Sequence, residues 1–312
     1  MRLLFCGTPQ FAVPTFKHLL AQSEFEILAV ITQPDRPRDR GHEISSSPIK
    51  EVALAAKLPV HQPEKIRAPE AQELLQSYSP DFIVIIAYGQ IIPARLLAIP
   101  KFGWINLHAS LLPKYRGAAP INWAIANGET RTGLTTIRID AGMDTGDILL
   151  QHEYGIEPNE TAAALTTRLS EAGAPLMAET LRGLAAGNII PRPQDHSQAT
   201  LAPILKRDDG RIDWNRTAQE IHTRMRGFAP WPGAYSVFRG QSCHLWGEPV
   251  SNEKRDAPPG TLHLEGDNLL AVCGGATVFR LLAVKLEGRK QVSAFEFANG
   301  ARLKPGERFG DS

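Results

Sequence analysis

The chain's densest group of chemically capable side chains lies between Gly103 and Pro120, in the stretch GWINLHASLLPKYRGAAP. Its first part alternates apolar and polar residues from Trp104 to His108, which is typical of a strand, so the side chains of Asn106 and His108 point to the same face. At about 3.3 Å of rise per residue, their Cβ atoms lie roughly 6.6 Å apart. An amide donor and an imidazole that converge on one small group suit a reaction in which negative charge develops on an oxygen while protons move nearby.

The loop that follows this strand favours a functional interpretation over a purely structural Asn–His pair. In an open α/β sheet, ligands bind beyond the carboxyl ends of the strands, and segment 110–113 (SLLP) lies at such an end. Two cations and a tyrosine follow at 114–116, and then come the small residues from Gly117 to Pro120. Because small residues let a backbone approach a ligand closely, we expect this loop to line a binding site.

A third candidate for the same site is the carboxylate of Asp144. It lies between Gly142 and Gly146 in the segment DAGMDTGD, where the glycines predict a tight turn. Such a turn can carry a carboxylate into a site on geometry that the backbone fixes. It can equally close a local Asx-turn that has no catalytic role, so the sequence leaves both interpretations open.

The strands and helices that must hold these residues alternate along the first half of the chain. Apolar runs at Arg2–Cys6, Glu26–Thr32 and Asp81–Ala87 are typical of buried parallel strands, and helical patterns separate them. This alternation predicts an α/β domain with a doubly wound, mainly parallel sheet. The turn after the first strand lacks GxGxxG and no Walker-type phosphate loop occurs, so neither signature indicates a bound nucleotide.

Composition limits the classes of protein to which the chain can belong. Its 312 residues are enough for two domains. The formal net charge of +1 gives the protein no overall positive charge that would attract a polyanion. Three widely spaced cysteines without a CxxC pair argue against a disulfide framework or a zinc site, and they favour a reducing cytoplasm. No apolar run approaches the roughly 18 residues of a membrane span, so we expect no membrane partner.

Composition shifts divide the chain into a catalytic domain at 1–188, a linker at 189–206 and a smaller domain at 207–312. The linker carries several prolines and shows no period. Beyond it, short alternating runs separated by Gly, Pro and Asp predict a small antiparallel β-barrel, OB-like in type. Two clusters of cations are candidates for polyanion contact: Arg36, Arg38 and Arg40 in an irregular loop, and Lys285, Arg289 and Lys290 in the second domain.

Seven segments give the chain a likeness to a known family over nearly its whole length: CGTPQFAVP, TQPDRP, VIIAYGQIIP, INLHASLLPKYRGAAPINWAI, GMDTGDIL, RIDW and PWPGA. The chain resembles the methionyl-tRNA formyltransferases. The SLLPKYRGAAP block and the Asn-x-His pair belong to the wider group of 10-formyltetrahydrofolate-dependent formyltransferases, so they are specific for the chemistry and not for the acceptor. TQPDRP points more narrowly to the tRNA enzymes.

The resemblance implies a cytoplasmic enzyme of translation initiation with a formyltransferase fold. Its formyl donor would be 10-formyltetrahydrofolate, its acceptor initiator methionyl-tRNA, and it would need no metal and have no DNA partner. The C-terminal domain and the loop after TQPDRP would help to hold tRNA. The residue roles implied are catalysis by Asn106, His108 and Asp144, and folate contact by Ser110, Leu111, Leu112 and Pro113.

In the mechanism that we expect, Asn106 donates a hydrogen bond to the oxyanion of a tetrahedral intermediate. Protonated His108 supplies a second donor, and Asp144 favours the charged imidazolium. Two alternatives stay open. A nucleotide-sugar formyltransferase has a similar set of Asn, His and Asp, although TQPDRP argues against it. A Rossmann-type binding module is the other, and the missing GxGxxG argues against that.

One loop departs from the family pattern, which usually continues with further Lys or Arg after the Arg-Gly that follows TQPDRP. Here Gly41 is followed by His42 and Glu43. Each phosphate contact made by a cation adds roughly 0.7 to 0.9 to the slope of log K against log salt. We therefore expect this loop to attract tRNA less strongly than the resemblance alone implies.

Overall fold

The computed structural model describes residues 1–38 and 43–310, which form two compact units. Neither unit is one continuous stretch of chain. The first contains Met1–Pro120, Arg131–Gly155 and Leu165–Pro203. The second contains Ile121–Thr130, Ile156–Ala164 and the chain from Ile204 onward. Most of the segment predicted as a linker, 189–206, therefore packs within the first unit.

The strands and helices up to residue 203 follow the predicted alternation. The strands are β1 (Arg2–Gly7), β2 (Glu26–Ile31), β3 (Arg36–Arg38), β4 (Glu43–Ser45), β5 (Val60–His61), β6 (Phe82–Ile86), β7 (Trp104–His108), β8 (Arg116–Gly117), β9 (Arg131–Arg138), β10 (Ile148–Gly155) and β11 (Leu201–Ala202). The helices are α1 (Val13–Leu20), α2 (Pro48–Ala55), α3 (Pro69–Ser77), α4 (Ala94–Leu97), α5 (Pro120–Ala126) and α6 (Ala162–Ala185).

The first unit is built on a seven-stranded sheet in the order β10-β9-β7-β6-β1-β2-β5. Strands β5, β2, β1, β6 and β7 are parallel, and all five residues of β6 are buried, as a central strand covered on both faces requires. The prediction of a mainly parallel α/β sheet is confirmed. Strand β9 then pairs antiparallel with β7, so β7 lies where the sheet changes from parallel to antiparallel pairing.

The second unit is built on an antiparallel sheet. Its remaining elements are α7 (Ala218–Gly227), β12 (Tyr235–Phe238), β13 (Gln241–Lys254), β14 (Leu262–Glu265), β15 (Asn268–Val272), β16 (Thr277–Leu286), β17 (Val292–Ser293) and α8 (Ala294–Ala301). The strands run in the order β12-β13-β16-β15-β14, with β17 also on β16. Among the described residues the two end strands do not pair, so the predicted β-barrel is observed only as an antiparallel sheet.

The last described residues lie against both free edges of this sheet. The amide of Leu262, at the start of β14, donates to the carbonyl of Glu307 over 2.9 Å. The amide of Gly310 donates to the carbonyl of Val237 in β12 over 2.8 Å. Between them, Phe309 packs its buried ring against Trp214 and Phe238 in the core of this unit. The segment 307–310 therefore bridges the two edge strands without forming a ladder of its own.

The three cysteines are all free and buried. Burial raises the pKa of Cys243 and that of Cys273 to about 12, so both thiols are protonated at neutral pH. Within the described parts of the chain, no helix has the length and apolar character needed to cross a membrane.

Candidate active site

The imidazole of His108 lies at the carboxyl end of β7 and is only 6% exposed. Its Nε2 lies 2.9 Å from the carbonyl oxygen of Tyr115. Because a carbonyl only accepts, Nε2 must be the nitrogen that carries the hydrogen and donates. This leaves Nδ1 as the nitrogen that can gain or lose a proton, and Nδ1 faces the carboxylate of Asp144 at 3.6 Å.

The carboxylate of Asp144 reaches this position from the turn between β9 and β10. Its backbone has a φ of +53°, in the left-handed region that few residues other than glycine adopt. Oδ2 accepts a hydrogen bond of 2.8 Å from the amide of Gly117. The local Asx-turn of this loop is made by Asp140, whose Oδ1 accepts from the amide of Gly142 and from the hydroxyl of Thr145. Asp144 is thus left to face His108.

The amide side chain of Asn106 lies on the same face of β7 as His108, as the alternation predicts. The backbone of Asn106 pairs with Ile85 of β6 on one side and with Ile137 of β9 on the other, so a strand fixes it from each side. The residue is half-buried. Among the described residues we find no hydrogen bond to its amide group.

Two residues of the antiparallel strands form hydrogen bonds with the backbone of the SLLP loop. The hydroxyl of Thr135 in β9 donates to the carbonyl of Ser110 over 2.6 Å and accepts from the amide of Leu112 over 3.2 Å. The amide of Gln151 in β10 donates to the carbonyl of Leu112 over 3.0 Å. The buried hydroxyl of Ser110 donates to the carbonyl of Lys114, so it turns inward. Leu112 is buried as well, whereas Leu111 and Pro113 are partly exposed.

Sequence reasoning did not identify Thr135 and Gln151. Thr135 did leave a signal, because it is a polar residue in the middle of an eight-residue strand whose six central residues are all buried. A buried hydroxyl requires a hydrogen-bond partner, so its presence indicates a polar neighbour on that face. Gln151 left no comparable signal, because β10 becomes progressively exposed along its length.

Two members of the first predicted cation cluster, Arg36 and Arg38, belong to β3, which pairs with β4 in a two-stranded sheet. Arg36 is exposed, the side chain of Arg38 is not among those described, and Arg40 and His42 lie outside the described residues. Just before β3, Asp35 pairs with Lys50 from the first turn of α2, and Gln62 donates to the same carboxylate. These hydrogen bonds, the one from Lys50 above all, lower the pKa of Asp35. Asp35 therefore anchors the start of β3.

The second predicted cluster lies at the end of β16 and in the turn after it, where Lys285, Arg289 and Lys290 are all exposed. Lys285 pairs in register with His244 of β13, which in turn pairs with Tyr235 of β12. These three side chains therefore share the outer face of the C-terminal sheet.

Further side chains extend this outer face. The ring of Trp246 lies 6.4 Å from that of His244, and the guanidinium of Arg207 lies 5.9 Å from the ring of Tyr235. Burial, with Lys285 and Arg207 as further contributors, lowers the pKa of His244, so its ring is neutral at physiological pH. The outer face thus combines three flat rings with two cations.

Chemically, the first unit presents an amide donor and an imidazole on one face of β7, and the turn between β9 and β10 brings a carboxylate to within 3.6 Å of the imidazole. This set can stabilise an oxyanion and hold a proton during attack on an acyl group. Within residues 1–38 and 43–310, no cluster of three His, Cys, Asp or Glu side chains has metal-binding geometry.

Two known protein families match successive parts of the chain. Residues 1–181 match the family "Formyl transferase", and residues 204–302 match "Formyl transferase, C-terminal domain". The chain is 52% identical to the methionyl-tRNA formyltransferase of Solibacter usitatus, with 100% of this chain and 99% of that protein covered. It is 50% identical to the methionyl-tRNA formyltransferase of Koribacter versatilis, with 99% of each chain covered.

A solved structure shares the fold at much lower identity. The N-formyltransferase from Helicobacter canadensis, crystallised with folinic acid and dTDP-3-aminofucose, superposes with a TM-score of 0.64 at 18% identity. The match covers 89% of this chain and 98% of that one. At such low identity the likeness indicates a shared fold and nothing about the acceptor.

Proposed function

The chain belongs to the formyl transferase family and within it to the methionyl-tRNA formyltransferases, and from this membership we propose the reaction that its site performs. The enzyme transfers a formyl group from 10-formyltetrahydrofolate to the free α-amine of methionine on initiator methionyl-tRNA, for translation initiation in the cytoplasm. The observation that carries the assignment to this site is the position of Nδ1 of His108, 3.6 Å from the carboxylate of Asp144, on the same face of β7 as Asn106.

In the reaction, the amine nitrogen forms a bond to the formyl carbon and the bond from that carbon to N10 of the folate breaks. The formyl oxygen carries negative charge in the tetrahedral intermediate, and the amide of Asn106 donates to it. Over the whole reaction the amine loses one proton and N10 gains one. Nδ1 of His108 is the ring nitrogen available to take part in this proton transfer, because Nε2 is committed to the carbonyl of Tyr115 and Nδ1 faces the carboxylate of Asp144.

The folate contact lies on the SLLP loop, with the four residues contributing in different ways. Leu111 and Pro113 are partly exposed and offer apolar surface. Ser110 and Leu112 are buried and act through the backbone, which Thr135 and Gln151 hold in place. A loop fixed in this way keeps the formyl carbon within reach of β7 without rearrangement when folate binds.

The tRNA contact of the C-terminal unit lies on its outer face. Flat rings and cations together are the combination that binds exposed bases and phosphates of RNA. Lys285 and Arg207 supply charge, and Tyr235, His244 and Trp246 supply rings. The hydrogen bonds of segment 307–310 to both sheet edges support the OB-like β-barrel as the form of this unit. Arg289 and Lys290, together with Arg36, Arg38 and Arg40 of the first unit, add phosphate contacts.

Trp246→Ala is expected to weaken binding of initiator methionyl-tRNA by about 1 to 3 kcal/mol with little change in salt dependence, because the lost contact is stacking. Lys285→Ala is expected to reduce the slope of log K against log salt by roughly 0.7 to 0.9, because the lost contact is with a phosphate. Filter binding or fluorescence anisotropy over a series of salt concentrations measures both quantities.

The matched control is Lys101→Ala. Lys101 is exposed and precedes β7, so it lies at the opposite end of that strand from His108. Its removal takes away one charge without touching either proposed site. If Trp246→Ala and Lys285→Ala both bound tRNA like the control at low and high salt, the outer face would not be part of the tRNA site.

The proposed activity is tested by incubating the protein with 10-formyltetrahydrofolate and methionyl-initiator tRNA, and by detecting N-formylmethionine after deacylation. A parallel reaction contains a UDP-amino sugar as acceptor. Formylation of the tRNA alone is the expected result. Formylation of the sugar alone would favour the nucleotide-sugar alternative, and a nicotinamide cofactor that bound tightly in a separate titration would favour the dinucleotide-binding module.

A further inference from the structure

The segment between residues 192 and 202, which the sequence predicts to be linker, runs across the proposed active site within the first unit. At its start, Arg192 exchanges two backbone hydrogen bonds with Ile148, just after the turn that carries Asp144. At its end, β11 pairs in parallel with β8, directly after the SLLP loop. The segment therefore spans the two loops that supply the carboxylate and the folate contact.

Gln194 lies between these two attachment points and is only 6% exposed. Its Nε2 donates to the carbonyl of Asp144 over 2.8 Å and to the carbonyl of Gly146 over 2.7 Å. Its Oε1 accepts from Nε of Arg116 over 3.1 Å and from Nη2 over 2.6 Å. Because the carbonyls only accept and the guanidinium only donates, the amide can adopt a single orientation.

This orientation matters because the backbone of Asp144 adopts a left-handed conformation with a φ of +53°. A non-glycine residue keeps such a conformation only where its surroundings hold it there. Two contacts do so on either side of the residue: the amide of Gly117 holds the carboxylate, and Nε2 of Gln194 holds the carbonyl. Among the described residues, the side chain of Gln194 forms no hydrogen bond with His108 or with the SLLP loop, and it acts on the carboxylate through its bonds to the turn of Asp144.

We propose that Gln194 is a positioning residue for formyl transfer, which locks the turn of Asp144 so that the carboxylate faces Nδ1 of His108. The proposal rests on the proposed function, because it assigns Gln194 a part in that reaction. Arg116, 7% exposed and without a carboxylate partner among the described residues, fixes the amide of Gln194 from its other side. The predicted linker thus completes the site.

Gln194→Met is expected to lower kcat for tRNA formylation on the order of 10- to 100-fold while leaving KM for folate within about twofold, because a small misplacement of a catalytic group reduces the rate and not the affinity. Gln194→Glu keeps the acceptor for Arg116 but turns a carboxylate oxygen toward two carbonyls, so it should lower kcat as well. The matched control is Gln198→Met, because Gln198 belongs to the same segment, is exposed and donates its side-chain amide to the carboxylate of Asp195.

Two further readouts separate positioning from a general loss of stability. In an Asp144→Ala background, Gln194→Met should cause no further loss of kcat, whereas a merely structural effect would add to it. In 15N-labelled protein, the amide proton of Gly117 should move upfield in Gln194→Met and not in Gln198→Met, because its bond to the Asp144 carboxylate weakens. This second readout requires no substrate.

The outcomes separate a failure of the proposed function from a failure of the positioning role of Gln194. If the wild-type protein did not formylate methionyl-tRNA, the proposed function would fail, and the Gly117 resonance would still decide whether Gln194 positions Asp144. If the wild type were active and Gln194→Met kept kcat within twofold, the positioning role would be overturned. It would be overturned equally by a loss of kcat that persisted in full in the Asp144→Ala background, or by an unmoved Gly117 resonance.

Discussion

Alanine at Asn106, His108 or Asp144 is expected to lower kcat for formylation on the order of 10²- to 10³-fold, while KM for 10-formyltetrahydrofolate changes little. In the proposed mechanism each side chain acts on charge that develops only in the transition state, so its removal should affect the rate more than ground-state binding. Steady-state kinetics with methionyl-initiator tRNA and varied folate separate kcat from KM.

The three residues should not contribute independently. In the proposed mechanism Asp144 acts on the substrate through His108, and its Oδ2 lies 3.6 Å from Nδ1 of that ring. We therefore expect His108→Ala combined with Asp144→Ala to lose less than the product of the two single losses. His152→Ala is the matched control, because His152 is an exposed histidine of β10. Near-normal kcat in His108→Ala would refute the mechanism.

The parallel sheet could be predicted from the sequence because its strands are buried on both faces. The predicted run Glu26–Thr32 is found as Glu26–Ile31, and Asp81–Ala87 as Phe82–Ile86, with the polar or terminal residues trimmed. In the second domain the alternation of side chains identified strands correctly. The alternation carries no information on which strands lie at the edges of the sheet. Closure of the sheet into a barrel could therefore not be predicted from it.

The site was predictable to the extent that its geometry is local. Asn106 and His108 share a face because they are two residues apart in one strand, which follows from the pleat alone. The role of Asp144 came from resemblance, because its approach to His108 depends on the length and twist of β9. That approach is observed here as a contact of 3.6 Å, while the roles of all three residues in catalysis stay predictions.

Gln194 could not be predicted, because nothing near it in sequence marks it. It follows Pro193 in a stretch without periodicity, and such stretches are ordinarily exposed linkers. The role proposed for it depends on contacts with Asp144 and Gly146, which are distant in sequence. These contacts also bear on truncation of the protein. A chain that ended at residue 188, the predicted end of the catalytic domain, would lack both Gln194 and β11.

Gly117→Ala is expected to lower kcat on the order of 10²-fold, because Gly117 joins the SLLP loop, the segment at 192–202 and Asp144 at one point. Its φ is +121°, a conformation that alanine rarely adopts. A Cβ atom there would lie 2.7 Å from the carbonyl oxygen of Ala202, closer than real contacts allow. To relieve this clash, β8 and β11 must separate, and the amide that holds the carboxylate of Asp144 moves with them.

The matched control for this substitution is Gly128→Ala. Gly128 also has a positive φ, +80°, but a Cβ atom there would meet nothing within 4 Å. Gly128→Ala should therefore lower the free energy of unfolding by about 1 kcal/mol through backbone strain alone and keep normal kcat. Gly117→Ala should lose more stability, because overpacking adds about 1 to 3 kcal/mol. Chemical denaturation and steady-state kinetics on both variants measure these effects. If Gly117→Ala resembled Gly128→Ala in both stability and kcat, the close approach of β11 to β8 would have no part in holding Asp144 against His108.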